Sequence, residues 1–291
     1  MTGNTYENDN CRCWASFWDG VNQAGNRKGP MTPGFWNHMA QRYERGSSKE
    51  KEESRLKKIL EFITSSGLQI KGAEVLDVGA GTGSLSIPLA KLGAQVTAVD
   101  FSEEMLKKLQ ARAQEEEVTV RTILKSWDTV NLDEEGFRNK FDLVIASMTP
   151  AVRNPPDLAL MLEASKGFCY YSGWVNRKWD KSYYSLYKHL FNEEFKESPH
   201  GFYLPFMYLY MLGYRPVITL MQDEWKSNET IDEYVETASG FFSTTKQIDD
   251  QIKKQIREFI TPHAPGGIYH AQTQVITGMM IWNMKERNIQ T

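Results

Sequence analysis

The chain of 291 residues is long enough for one large domain or for a core domain with additions. It is 41% hydrophobic and 24% charged with a formal net charge of −3, and that balance speaks against a broad electrostatic surface for nucleic acid, since a basic face usually shows in the sum. No apolar run reaches the ~20 residues of a membrane span; the most apolar stretch, Phe202 to Leu212, is too short and ends at Gly213.

Residues 1–30 are polar and rich in Asn and Gly, which reads as a tail, but Trp14, Phe17 and Trp18 argue that part of it docks. Cys11 and Cys13 lack a second Cys/His pair at metal spacing, so no metal is expected there. With Cys169 they make an odd, low cysteine count, and there is no N-terminal apolar signal segment; a reducing, cytoplasmic setting is the expectation.

Thr32-Pro33 marks a helix start, and Trp36, Met39/Ala40 and Tyr43 then fall on one face until Gly46-Ser47-Ser48 breaks the pattern. Lys49 to Ser65 is amphipathic, with Leu56, Ile59, Leu60 and Ile63 on one face and charge on the other. Strand and helix then alternate. Strands are expected at Ala73–Val78, Gln95–Asp100, Val118–Leu124, Lys140–Ala146 and Phe168–Trp174. Helices are expected at Leu85–Leu92, from the Ser102 cap to about Gln114, and at Asp157–Ser165. Such alternation specifies a parallel sheet covered on both faces, with the ligand at the C-terminal strand ends.

The last third reads differently. Helices are expected at Lys181–Phe195, Leu204–Leu212, Ile231–Phe242 and Gln247–Ile260, with strands at Arg215–Gln222 and Thr273–Met284. A strand, two helices and a strand would place an insertion above one end of the sheet. The division expected is a tail and lid helix at 1–48 and one domain at 49–291, with helical insertions at about 176–213 and 228–262.

The chemistry concentrates at Val75-Leu76-Asp77-Val78-Gly79-Ala80-Gly81-Thr82-Gly83-Ser84. A strand ending in a glycine turn that feeds a helix brings backbone N–H groups close to a ligand. The glycine spacing, x-Gly79-x-Gly81-x-Gly83, is not the G-x-G-x-x-G of dinucleotide enzymes. Asp77, two residues before Gly79, would repel a pyrophosphate and suits a cationic ligand. Asp100 ends the next strand, where an acid can accept from two ribose hydroxyls.

Residues 75–90 (VLDVGAGTGSLSIPLA), 96–106 (VTAVDFSEEML) and 141–150 (FDLVIASMTP) resemble the class I S-adenosylmethionine-dependent methyltransferases. The likeness is good over roughly residues 35–175 and weak elsewhere. It implies an α/β fold: a Rossmann-like, seven-stranded, mostly parallel, doubly wound sheet with an N-terminal helical lid and C-terminal cap helices. It also implies S-adenosyl-L-methionine as cofactor and S-adenosyl-L-homocysteine as product. By that resemblance Asp77 and the backbone of Gly79, Ala80, Gly81, Thr82 and Gly83 hold the methionine part. Asp100 binds the ribose, Phe101, Ser102 and Met105 lie beside the adenine, and Ser126, Trp127 and Asp128 meet its edge. Ser147 and Met148 stand by the methyl-bearing sulfur, and Trp36 and Tyr43 match a helix that closes over the cofactor, though both also read as ordinary amphipathic-helix core.

Asn154-Pro155-Pro156-Asp157 resembles the N-P-P-aromatic motif of enzymes that methylate exocyclic amines, but it stands several residues too late and ends in Asp157; a helix opening on Pro-Pro explains it better. The sequence shows no metal-binding constellation near the fourth strand. His200, Tyr203 and His38 are the candidate catalytic groups, the histidines also reading as structural or surface residues.

The acceptor site is expected after the fourth and fifth strands, where Tyr170, Tyr171, Trp174, Trp179, Tyr183 and Tyr184 crowd together, followed by Phe202, Tyr203, Phe206 and Tyr208. They read either as core beneath a cap or as an aromatic pocket for a small-molecule acceptor; Trp36, Tyr171, Trp174, Tyr203 and Phe206 are the candidate contacts. A tRNA or protein methyltransferase would share the core but would need an open basic or peptide-sized cleft. A nucleotide-dependent oxidoreductase is disfavoured by Asp77 and the glycine spacing.

Overall fold

The computed structural model describes residues 9–24, 32–40, 49–195, 201–243 and 245–287. Its seven strands form one sheet: β1 (Glu74–Val78), β2 (Gln95–Asp100), β3 (Val120–Leu124), β4 (Phe141–Ser147), β5 (Ser165–Lys178), β6 (Val217–Thr230) and β7 (Ile268–Asn283). Their spatial order is β3-β2-β1-β4-β5-β7-β6. β1 to β5 run parallel, and β7 runs antiparallel to both β5 and β6. The order reverses at β1, so the chain leaves the sheet on opposite faces from β1 and β4. That opens a crevice at their C-terminal ends, where open α/β sheets bind ligands.

The strands form where continuous apolar runs can be buried on both faces: Val75, Leu76, Val78, Leu143, Val144 and Ile145 are fully buried. One face is covered by α3 (Lys49–Ser65) and α4 (Ser86–Lys91), whose Ile59, Ile63 and Leu89 meet Val75, Leu143 and Tyr170. α5 (Glu103–Glu115) starts on Ser102, whose hydroxyl accepts from the Met105 N–H, with Glu103 and Glu104 in the first turn. The other face carries α1 (Asp9–Ala24), α6 (Pro155–Ala164) and α8 (Tyr203–Met211), joined through Trp18, Leu158, Met161, Leu204 and Tyr208.

Two features exceed what the sequence suggested. The aromatics of the polar N-terminal segment belong to a helix, α1. Cys11 and Trp18 are buried, and the Trp14 indole N–H donates to the Leu204 carbonyl at 2.9 Å. The last strands are also longer than their apolar cores. β5, β6 and β7 have 14, 14 and 16 residues, and beyond Ser147 only they continue. This extension stands above the ligand-binding edge. It carries α7 (Lys181–Phe191), α9 (Ile231–Phe242) and α10 (Asp250–Ile260), which share a separate core around Tyr183, Tyr187, Tyr234, Phe242 and Ile256. Asp180 ties α7 to β7 by accepting from the Ser182 N–H, the Tyr269 hydroxyl and the Gln272 N–H. No helix among the described residues is long and apolar enough to cross a membrane.

Candidate cofactor site

Asp77 stands one residue before the end of β1 and Asp100 ends β2; in the parallel register Asp77 is opposite Ala98, so Asp100 lies two residues further along on the same face, at the glycine turn. Both are buried. Asp77 accepts from the Ser86 hydroxyl at 2.6 Å, at the start of α4. Burial pushes its pKa up to about 6; the Ser86 bond opposes this and the charge of Asp100 adds to it. Asp100 accepts from the Gly81 N–H and the Ser102 N–H, each at 2.8 Å. Burial raises its pKa too, against the pull of those backbone bonds.

The turn differs from a bare anion cradle. The N–H groups of Gly79 and Ala80 donate to the Val99 carbonyl, that of Gly81 to Asp100, and that of Gly83 to the Ala80 carbonyl. The turn therefore offers a ligand shape and carboxylate charge more than free donors, which suits a cation better than a pyrophosphate. Gly79 has φ +67°, and a Cβ there would lie 1.9 Å from the Thr149 hydroxyl oxygen. Gly81 has φ +56° and open space where a Cβ would stand. One glycine admits the neighbouring loop; the other leaves room for a ligand. Thr82 is buried and accepts, through its carbonyl, from Arg112.

Beside the turn runs a cleft of about 380 Å³ lined by Gly79, Val99, Asp100, Phe101, Lys125, Ser126, Trp127, Pro150, Ala151 and Arg153. Trp127 is held by its indole N–H donating to the Asp157 carbonyl at 2.9 Å, so it is both core and wall. Asp128 accepts from Ser126 and pairs with Arg153, which also pairs with Asp157 at 3.2 Å. This network joins the loops after β3 and β4 across the cleft. The sequence reading missed Arg153, although its spacing four residues before Asp157 was a signal. It also missed Lys125 and Asn37. Asn154 accepts from the Asp157 N–H and caps α6, with prolines in its first turn, as the helix-start reading expects.

Ser102 links Asp100 to an N-terminal helix. Its hydroxyl donates at 2.6 Å to the Asn37 side chain on α2 (Pro33–Ala40). α2 thus docks on the N-terminus of α5, with Trp36 half-buried. Met105 is buried behind Ser102.

At the end of β4, Ser147 and Ser172 hydroxyls lie 3.0 Å apart, and Met148 takes φ +51° with its N–H on the Ser172 carbonyl. Tyr170 is fully buried, and burial pushes its pKa up to about 12 while the Ser172 and Ser147 hydroxyls pull it back.

The candidate acceptor aromatics divide between the two faces of β5. Tyr171 is buried against Phe202, Tyr203 packs edge-on to Trp14, and Phe206 lies near Tyr210. Trp174 stands on the opposite face, 3.8 Å from the Arg177 guanidinium and edge-on to Trp225. Tyr43, His200 and the side chain of His38 lie outside the described residues. Among the described residues no group of three His, Cys, Asp or Glu is placed to hold a metal.

Residues 75–168 match a family model described as a methyltransferase domain. Over 85 residues the chain is 40% identical to the ubiquinone biosynthesis O-methyltransferase of Xanthomonas euvesicatoria pv. vesicatoria, covering 29% of this chain and 34% of that protein. Over 88 residues it is 37% identical to an uncharacterized protein of Mycobacterium tuberculosis, covering 30% of each. The chain thus spans about a third of the length of the curated relatives it matches. Among solved structures it is similar to the magnesium protoporphyrin IX methyltransferase of Synechocystis with bound SAH, at TM-score 0.48 and 15% identity, covering 89% of this chain and 99% of that one. It is also similar to the YcgJ protein of Bacillus subtilis, at TM-score 0.48 and 14% identity, covering 78% and 97%. The matched domain model begins on β1 and ends in β5, and so takes in the turn, the two carboxyl groups and the residues lining the cleft; this stretch of the chain is a methyltransferase domain.

Proposed function

We propose that the protein methylates a small-molecule acceptor held above the ends of β4 and β5. The observation that carries this reading is the pair of buried carboxyl groups, Asp77 and Asp100, meeting under a turn whose N–H groups are largely used. The residues present fit S-adenosylmethionine. Asp77 would hold a cationic amine, and Asp100, with one backbone donor on each oxygen, keeps lone pairs for two ribose hydroxyls. The open side of Gly81 leaves room for the chain between them. Phe101 and Trp127 would flank a flat base in the cleft.

The cofactor, when bound, supplies a methyl group on a sulfonium that is already an activated electrophile. The protein's work is then orientation, which can contribute ~7–11 kcal/mol when two reactants are held in line. Ser147 and Ser172 are placed at the strand ends beside the turn to hydrogen-bond an acceptor. Trp174, on the same face of β5 as Ser172, and Trp225 edge-on to it would supply an apolar wall. The name of the Xanthomonas relative, an O-methyltransferase, makes hydroxyl oxygens the first acceptors to try.

Calorimetric titration with S-adenosylhomocysteine tests the cofactor half. Asp100→Ala should weaken binding by about 1–3 kcal/mol, the cost of losing a ribose hydrogen-bond pair; unchanged affinity would remove Asp100 from the site. Turnover of labelled S-adenosylmethionine with phenols, amines and carboxylic acids, against tRNA and protein controls, tests the acceptor half. Methylation of the macromolecules alone would refute the small-molecule reading.

A further inference from the structure

We propose that β6 is a self-association edge, on which a second copy of this chain adds its own β6 antiparallel to form a continuous sheet. β6 is the outermost strand and pairs only with β7, so among the described residues its other row of backbone groups meets no strand. Such an edge is a template for another strand, and proteins ordinarily blunt it with lysine, proline or a bulge. Here the first half of the edge is apolar instead: Val217 is 62% exposed, Leu220 59% and Ile218 37%. The second half is charged, and Lys51 from α3 reaches the Glu224 carbonyl there. The open segment is therefore Val217 to Gln222.

The occupant follows from the sequence of that segment. Antiparallel pairing about a two-fold axis is isologous, so each residue meets the one equally far on the other side of the axis. The axis must pass through a residue, because an axis between residues would set outward-facing backbone groups against inward-facing ones. With the axis at Thr219, Ile218 faces Leu220 and Val217 faces Met221. With the axis at Leu220, Val217 would face Asp223; with it at Met221, Ile218 would face Glu224. The Thr219 register keeps apolar on apolar across the open segment, a pairing that stabilises a sheet, and leaves Asp223 and Glu224 outside it. Arg215 precedes the strand and is held on the Tyr210 and Tyr214 carbonyls, clear of the paired segment. A segment that matches itself residue for residue in polarity fits a second copy better than an unrelated strand.

The test uses the full chain and needs no ligand, so it succeeds or fails independently of the methyltransferase reading. Light scattering at micromolar concentration should give twice the 33.5 kDa chain mass. Leu220→Lys, at an exposed site, should give the single-chain mass with an unchanged melting temperature for the monomer fold. In a Cys13→Ser background, which removes the exposed native thiol, Thr219→Cys should form an intermolecular disulfide. Its two Cα atoms would stand about 4.5–5.5 Å apart across the axis, within the disulfide span of about 4.4–6.8 Å. Gln222→Cys should not crosslink. A wild-type monomer, a dimer that survives Leu220→Lys, or crosslinking at Gln222→Cys in place of Thr219→Cys would each overturn the proposal.

Discussion

Asp77 couples proton, ligand and stability at one atom pair. Its pKa stands at about 6 because burial disfavours the charged form, with the charge of Asp100 adding to that effect. A cationic ligand needs the ionised carboxylate, so affinity for S-adenosylhomocysteine should fall as pH is lowered through about 6 and level off above it. Folding has the opposite sense. The folded pKa lies above the unfolded value of about 4, so the ligand-free protein should gain stability as pH falls from about 6 towards 4. Calorimetry and thermal melts across that range measure both, and Asp77→Asn should flatten both curves. The glycines give a second contrast. Gly79→Ala forces a Cβ into Thr149 at positive φ and should destabilise the fold. Gly81→Ala carries a strain of about 1–2 kcal/mol but meets no neighbour. It should fold and lose cofactor affinity by at least tenfold, a split readable from melting and titration of the same samples.

At the scale of elements, a side chain of the short helix α2 ties it to the start of α5. Asn37 accepts from the Ser102 hydroxyl at 2.6 Å and from the Glu104 N–H at 3.4 Å. Ser102 in turn donates its N–H to Asp100. Docking of α2 and occupancy of Asp100 therefore share one residue. Asn37→Ala should weaken S-adenosylhomocysteine binding by about fivefold, ~1 kcal/mol for one hydrogen bond. Linkage requires the reciprocal effect: the ligand should protect α2 from proteolysis in the wild type, and by a correspondingly smaller factor in the variant. α1 reaches the same rim from the other side, where Asn22 donates to the Arg153 carbonyl. The two N-terminal helices thus touch both flanks of the cleft.

At the scale of the molecule, the cap on α7, α9 and α10 has its own core, which shares no residue with the clusters packed on β1, β2 and β4. Phe242 is fully buried there. Phe242→Ala should destabilise that unit by about 3–5 kcal/mol. Because Asp77 and Asp100 stand outside it, cofactor affinity should be retained while turnover of a small acceptor falls. Equal losses in binding and turnover would mean that cap and cofactor site are one cooperative unit.

The sequence by itself determined the parallel core. Its strands are short apolar runs buried on both faces, and burial on both faces overrides local propensity, so β1, β2 and β4 lie within a residue or two of where the periodicity places them. It also determined the acids flanking the glycine turn, because spacing along adjacent parallel strands becomes proximity once their register is set. The extension of β5, β6 and β7 was not legible: residues such as Asn176, Lys178, Gln272 and Gln274 are polar and exposed, and only pairing with each other makes them strand. Nor was α1, a polar helix whose Trp14 and Trp18 find their partners on α8, some 190 residues later for Trp14. The packing of the aromatics on β5 was likewise a matter of tertiary structure. Alternation alone puts Tyr171 and Trp174 on opposite faces, but their partners, Phe202 and Trp225, come from elements far along the chain, which local periodicity does not reach.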